Sequence, residues 1–190
     1  MPTLEQVIAR VANALPGASL QIVPNGNPGH PGSLLLDNGQ AGAVARILRD
    51  DPELRFDYAS NASGVDWPEK TAKEKVNVKK IVDGVEKEIE ETVERKTGGY
   101  LEAVYHLYSM ALGHGPLIIR LRTANRGDGA VLPSLTPVWR SCEFQEREIF
   151  DLFGVTFTGH PDLRRILMWD GFVDYPMRKD YVPVAEEARP

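Results

Sequence analysis

Apolar residues recur at helical spacing at the start of the chain. Leu4, Val7, Ile8, Val11 and Leu15 form one stripe, Thr3 with Gln6 makes a capping box ahead of it, and Pro16-Gly17 closes it, so the pattern predicts a first helix. Leu20, Ile22 and Val23 suggest a strand. Residues 24–32 (PNGNPGHPG) are a loop whose glycine spacing suits neither a dinucleotide nor a phosphate, and residues 33–36 are a short strand. Gly39 to Asp50 reads as a second helix with Val44, Ile47 and Leu48 inward, and Leu54, Phe56 and Tyr58 alternate as a strand does. The aromatic run from Tyr100 to Met110 predicts another strand, and Leu117, Ile119 and Leu121 alternate with Ile118, Arg120 and Arg122 in the next. Thr136 is a good N-cap and Pro137 suits a first helical position. A helix is therefore expected from there to Phe153, with Val138, Cys142, Ile149 and Leu152 on one face and Gly154 as its stop. Helices mixed with antiparallel hairpins, without repeated βαβ units, predict an α+β fold: helices packed on a mostly antiparallel sheet, with an extended C-terminal tail.

One stretch breaks this pattern. Between Pro68 and Thr97, sixteen of 30 residues are charged, eight of each sign. A solvated helix is one reading. A β-hairpin is preferred, because Asp83-Gly84 is a strong two-residue turn signal that would pair Val82 with Val85, Val78 with Ile89 and Lys79 with Glu88. The expected organisation is an α+β domain over residues 1–154 with a charged insert at about 68–97, then a docking segment and tail over 155–190.

Composition narrows the function. The net charge of −5 offers no overall basic field to nucleic acid or anionic lipid. The single cysteine, Cys142, forms no internal disulfide and cannot by itself hold an iron–sulfur cluster or a Cys-rich zinc site. The first eleven residues lack an apolar core, so no signal peptide is expected. The longest uncharged run, Val11 to Leu36, is broken by four prolines, so no membrane span is expected.

The densest charged cluster runs from Glu143 to Asp151. On a helix Glu143, Arg147 and Asp151 stack four apart as one ladder, either an exposed series of ion pairs worth at most about 1 kcal/mol or a surface that a partner covers. His160 and Asp162, next to Arg164 and Arg165, could form an acid/base pair with an anion clamp, although neighbours in sequence rarely make a catalytic dyad. His106 and His114 are weak metal candidates, and Cys142 is expected to be a buried, inert thiol. Beyond Gly154 the periodicity fades, while Trp169, Phe172, Tyr175 and Tyr181 are interleaved with cations, a composition found in interface hot spots.

Two longer runs carry more information. Glu146-Arg147-Glu148-Ile149-Phe150-Asp151-Leu152-Phe153-Gly154 is followed by Gly159-His160-Pro161-Asp162-Leu163-Arg164-Arg165-Ile166-Leu167. Together they resemble the signature of the 30 kDa subunit family of respiratory complex I, which in bacteria supplies the C subunit of NADH–quinone oxidoreductase. Pro176-Met177-Arg178-Lys179-Asp180-Tyr181 resembles the family's closing motif, with Met177 where Leu is more usual. Val65-Asp66-Trp67 and Tyr105-His106-Leu107-Tyr108-Ser109 look like its strand ends. The resemblance covers about residues 39 to 183, and the charged insert is its main departure. It implies a cofactor-free structural subunit of the hydrophilic arm, with FMN and iron–sulfur clusters in partner subunits. Its neighbours would be the quinone-site large subunit and the small Fe–S subunit, and the complex would lie on the cytoplasmic face of the bacterial inner membrane. It also implies that Glu146, Arg147, Glu148, Asp151, His160, Arg164, Arg165, Arg178 and Lys179, with Glu143 added from the ladder, serve a partner interface rather than catalysis. The readings that compete with it are the equivalent subunit of a ferredoxin- or hydrogenase-linked complex and a free-standing acid/base enzyme using His160 and Asp162.

Overall fold

The computed structural model describes residues 1–27, 29–82, 85–127 and 130–183. Among them, three helices and a mixed, mostly antiparallel sheet form an α+β fold, as the sequence predicts. Helix α1 (Leu4–Ala14) starts with the expected capping box: the Gln6 amide donates to Thr3 Oγ1 and the Thr3 amide donates to Gln6 Oε1. Strands β1 (Leu20–Val23) and β2 (Ser33–Leu36) form an antiparallel pair, and α2 (Ala41–Asp50) follows. Next come β3 (Tyr58–Trp67), the pair β4 (Lys70–Val82) and β5 (Val85–Thr97), then β6 (Tyr100–Ser109) and β7 (His114–Arg122).

The main sheet runs β1-β2-β7-β6-β3, and only its β2–β7 contact is parallel. One face carries the core. Leu101, Ala103, Tyr105 and Leu107 of β6 and Leu117, Ile119 and Leu121 of β7 are buried with Val7 and Val11 of α1 and Val44 and Leu48 of α2. The alternate residues Val104 and Ile118 lie outside that cluster. Strands β8 (Val131–Pro133) and β9 (Thr156–Thr158) make a small parallel sheet, and α3 (Cys142–Phe153) lies between them in sequence. Helix α3 approaches the main sheet closely because residue 64 is glycine: a Cβ there would stand 2.5 Å from the Phe153 ring.

Strands β4 and β5 form a two-stranded antiparallel ribbon in the predicted register, with Val82 opposite Val85, Val78 opposite Ile89 and Lys79 opposite Glu88. The turn residues Asp83 and Gly84 lie outside the described residues. The ribbon continues from the end of the β3–β6 pair, where Trp67 opposes Tyr100, and no strand of the main sheet pairs with it.

Three local expectations differ from the structure. The strand expected at Leu54–Tyr58 begins only at Tyr58. Asp51 caps the end of α2, its carbonyl accepting from the Leu54 and Arg55 amides and its carboxylate from the Glu53 amide, so those donors serve a turn and not a ladder. Leu54 and Phe56 are nevertheless buried. The helix expected from Thr136 begins at Cys142, because the Thr136 hydroxyl donates to Glu146 and does not cap. Leu152, expected on the inner face, is only half-buried.

Removing Lys70–Lys96 should leave the core folded, since among the described residues no strand of the main sheet pairs with the ribbon. The thermal midpoint of the deletion variant is expected to fall by only a few degrees, and a fall beyond about 10 °C would place the ribbon in the core.

Candidate functional site: the carboxylate helix and the segment it holds

Helix α3 carries two carboxylates that water does not reach. Glu146 and Asp151 are both 0% exposed. A buried carboxylate needs several donors to offset the water it has lost. Glu146 accepts from Tyr105 Oη at 3.0 Å, Ser134 Oγ at 2.5 Å, the Leu135 amide at 2.8 Å and Thr136 Oγ1 at 3.0 Å. It thereby ties the loop before α3 to strand β6. Burial, with the Glu146 charge alongside, pushes the Tyr105 hydroxyl well above its ordinary range and the Cys142 thiol up to about 12. Both therefore stay protonated at neutral pH, and Cys142 is buried, as expected.

Asp151 holds the segment that follows β9. One of its oxygens accepts from the backbone amides of Ile166, Leu167 and Met168 at 3.0, 2.7 and 2.9 Å. The other meets Arg165 Nη1 at 2.6 Å. Burial alone would raise this carboxyl, but the three amides and Arg165 hold it below the usual carboxylate range. Four donors fixed on one side chain bind a stretch that has no periodicity of its own.

The C-terminal end of α3 is closed by the same segment and by the tail beyond it. The last four helical carbonyls lack intrahelical partners in any α-helix. Here Phe150 O accepts from the Gly154 amide, Asp151 O from Arg165 Nη1, Leu152 O from the Met177 amide and Phe153 O from Arg178 Nε. Arg165 and Arg178 also place positive charge at the negative end of the helix dipole. Gly154 has φ +73, which favours glycine, and a Cβ there would stand 2.5 Å from the Tyr175 ring. Tyr175 in turn lies under Arg178, 4.4 Å from guanidinium carbon to ring centroid.

The expected ladder does not form. Arg147 is only 6% exposed and turns away from Glu143 and Asp151. It donates to the carbonyls of Arg164 and Arg165 at 3.1 and 3.4 Å and faces Asp162 at 3.7 Å. Glu143 faces Arg140 at 3.5 Å, and Glu148 is exposed. The ladder fails because the loop after β9 returns across the helix and offers Arg147 and Asp151 closer partners than each other.

His160 and Asp162 do not form an acid/base pair either. The Asp162 amide donates to His160 Nδ1 at 3.1 Å, so Nε2 carries the proton and donates to Glu143 O at 2.9 Å. Both ring nitrogens are thus engaged with backbone. The Asp162 carboxylate pairs with Arg164 at 2.9 Å. Among the described residues, no three His, Cys, Asp or Glu side chains converge as metal ligands, and His106 and His114 lie on β6 and at the start of β7.

Sequence reasoning missed a third anchor. Asp66, at the end of β3, accepts from Arg126 Nε and Nη2 at 2.6 and 2.7 Å and from the Lys179 amide at 2.8 Å. Arg126 also reaches Asp180 at 2.8 Å. The only signal for it was the Val65-Asp66-Trp67 motif, since nothing in the spacing points to Arg126. The segment from 160 to 183 has no periodicity to order it from within. Arg147, Asp151, Phe153 and Asp66 of the same chain bond to it. Its apolar side chains Leu167, Trp169, Val173, Met177 and Val182 stay more than half exposed.

The fold and site together describe an α+β module in which the charged residues of one helix position a non-periodic segment and leave its apolar side chains outward. Comparison with known proteins identifies the family: the chain belongs to the respiratory-chain NADH dehydrogenase 30 kDa subunit family, which matches residues 34–187. It is 38% identical over 149 residues to the C subunit of the NADH-quinone oxidoreductase of Coxiella burnetii, covering 75% of this chain and 63% of that protein. It is 37% identical over 137 residues to the corresponding C 2 subunit of Rhizobium etli, covering 72% and 56%. The chain therefore spans about three-fifths of the length of the relatives it matches. A chain in the structure of the membrane-bound sulfane sulfur reductase, an archaeal respiratory membrane complex, shares the fold with a TM-score of 0.61 at 20% identity, covering 94% of this chain and 85% of that one.

Replacing Asp151 by Asn should release residues 165–168. Loss of a buried, hydrogen-bonded ion pair costs about 3–5 kcal/mol, which is a drop on the order of 10 °C in thermal midpoint. Because the Asp151 carboxyl is held down when folded, its contribution is present above about pH 4 and is lost as the pH falls below that. Urea titrations between pH 3 and pH 7 should show a flatter pH dependence for Asp151→Asn than for the wild type. Arg147→Ala should destabilise the free chain by about 1–3 kcal/mol, since two carbonyls lose their donor. An unchanged urea midpoint would return Arg147 to the exposed ladder.

Proposed function

We propose that this chain is a cofactor-free structural subunit of the hydrophilic arm of a proton-pumping NADH–quinone oxidoreductase. In this reading electrons pass from NADH through FMN and iron–sulfur clusters on other subunits to quinone, and this chain holds those subunits in place. The observation that carries the reading is the family match across residues 34–187, which includes α3 and the segment it anchors. The geometry supports it. Glu146, Arg147, Asp151 and Arg165 of the signature are spent on internal anchoring, while Leu167, Trp169, Val173 and Met177 face outward as apolar and aromatic contacts, the residue types that dominate interface energies. No helix among the described residues is long and apolar enough to cross a membrane.

The partners in this reading are the quinone-site large subunit and the small Fe–S subunit, and the location is the cytoplasmic face of the bacterial inner membrane. In this reading Glu143, Glu148, His160, Arg164 and Lys179 serve the contact directly. Glu146, Arg147, Asp151, Arg165 and Arg178 serve it indirectly, by fixing the backbone that presents it.

Size-exclusion of a mild-detergent membrane extract tests the reading. The chain should elute in a particle many times its own size together with NADH–quinone reductase activity. Purified alone, it should be colourless and should not oxidise NADH. A small native species, or a stoichiometric chromophore in the pure chain, would overturn the assignment.

A further inference from the structure

The main sheet has a second face, which the helices do not cover. Its centre is Glu102 of β6, fully buried beneath the side chains around it. Glu102 accepts from Arg122 Nε and Nη2 at 3.0 and 2.8 Å, from Arg120 Nη1 at 3.1 Å and from Trp67 Nε1 at 2.8 Å. Arg120 also donates from Nε to Ser33 Oγ at 2.8 Å. A hydrogen-bonded carboxylate thus holds two guanidinium groups rigidly at a surface. Arg120 Nη2 and Arg122 Nη1 take no part in these bonds, so each group keeps donor capacity toward the outside.

Aromatic rings wall this point. The Arg122 guanidinium lies 4.1 Å from the Tyr100 ring centroid, and Trp67 and Tyr100 stand 6.1 Å apart. Lys70 and Lys179 each approach the Trp67 ring at 5.7 Å. A cleft of about 350 Å³ opens here between the 23–26 loop and the strands. Two guanidiniums therefore share one buried carboxylate, and two ammonium groups stand over the adjoining Trp67 ring, while Asp66 and Asp180 beside Lys179 are paired with Arg126. The Arg120 and Arg122 pair outnumbers the single carboxylate it shares, so this point of the face carries net positive charge on a chain whose net charge is −5. It is also held in place: the guanidiniums are fixed by Glu102, and Lys179 by its amide on Asp66.

We propose that this face docks an acidic segment of a partner protein, whose carboxylates meet Arg120 and Arg122 while Trp67 and Tyr100 pack against its stem. The proposal rests on the subunit reading above and adds to it a second contact surface, which meets the α3 segment only at Lys179, together with the chemistry of what covers it. Preorganised guanidiniums bind carboxylates with two parallel hydrogen bonds, and complementary charge both steers the encounter and fixes its register.

The test uses the native particle, treated with a water-soluble carbodiimide that joins an amine directly to a carboxylate, and reads the cross-linked peptides by mass spectrometry. Lys70 and Lys179 should couple to Asp or Glu residues of another chain. Coupling confined to this chain, or none, while the chain elutes in the large particle would overturn this proposal and leave the subunit reading standing. Elution as a small native species would overturn both. A second measurement avoids the arginines, whose loss would strand Glu102. Lys70→Glu with Lys179→Glu should lower incorporation into the particle by about tenfold at low salt. Lys70→Arg with Lys179→Arg should restore it, and the free double variant should melt within about two degrees of the wild type. Normal incorporation of the reversed-charge variant would sink the proposal.

Discussion

The placement of the segment from Gly159 to Tyr181 depends on one requirement: a helix end inside a protein must have its carbonyls answered. Helix α3 stops at Phe153, and Gly154 answers only one of its last carbonyls. The other donors come from residues 14 to 25 positions further along the chain. With them comes a carboxylate that gathers three consecutive amides. The result is a segment with almost no regular secondary structure that nevertheless has a defined path. Its order is borrowed from a helix, and the helix is completed by it.

The same device recurs at four places. Glu146 fixes the loop before α3, Asp151 the loop after β9, Asp66 the end of the tail, and Glu102 a pair of arginines on the open sheet face. Each is a carboxylate that is costly to bury and therefore stabilising only when its donors are all present. That makes each anchor sensitive to its partners and gives the irregular parts of the molecule a single arrangement. Exposed ion pairs such as Arg49–Asp50 contribute little by comparison.

Much of this was legible in the sequence. The capping box at Thr3, the alternation in β6 and β7 and the register around Asp83-Gly84 are local signals, and local physics decides them. The family was legible too, through two spaced runs of charged and aromatic residues. What spacing could not provide was the use of those charges. Glu143, Arg147 and Asp151 are well placed to pair on an isolated helix. They part because the chain returns across α3 14 to 18 residues later, an event with no period to read. Strand β3 was hidden for a different reason: its Ala59-Ser60-Asn61-Ala62-Ser63-Gly64 run has poor strand propensity, and Gly64 is there to admit Phe153 and not to favour a strand. Thr136 misled because a hydroxyl that can cap a helix can equally answer a buried carboxylate.

The dependence of α3 on Met177 and Arg178 also bears on when the finished module first exists. During synthesis the main sheet and the first two helices can assemble while the C-terminal residues are still inside the ribosome. Helix α3 at that stage has an open end, and its Asp151 carboxylate has no amides to hold. The outward-facing side chains of the following segment acquire positions only after residue 178 has emerged and closed over Gly154. A partner that reads this surface therefore meets it in fixed form only once Met177 and Arg178 have closed the end of α3.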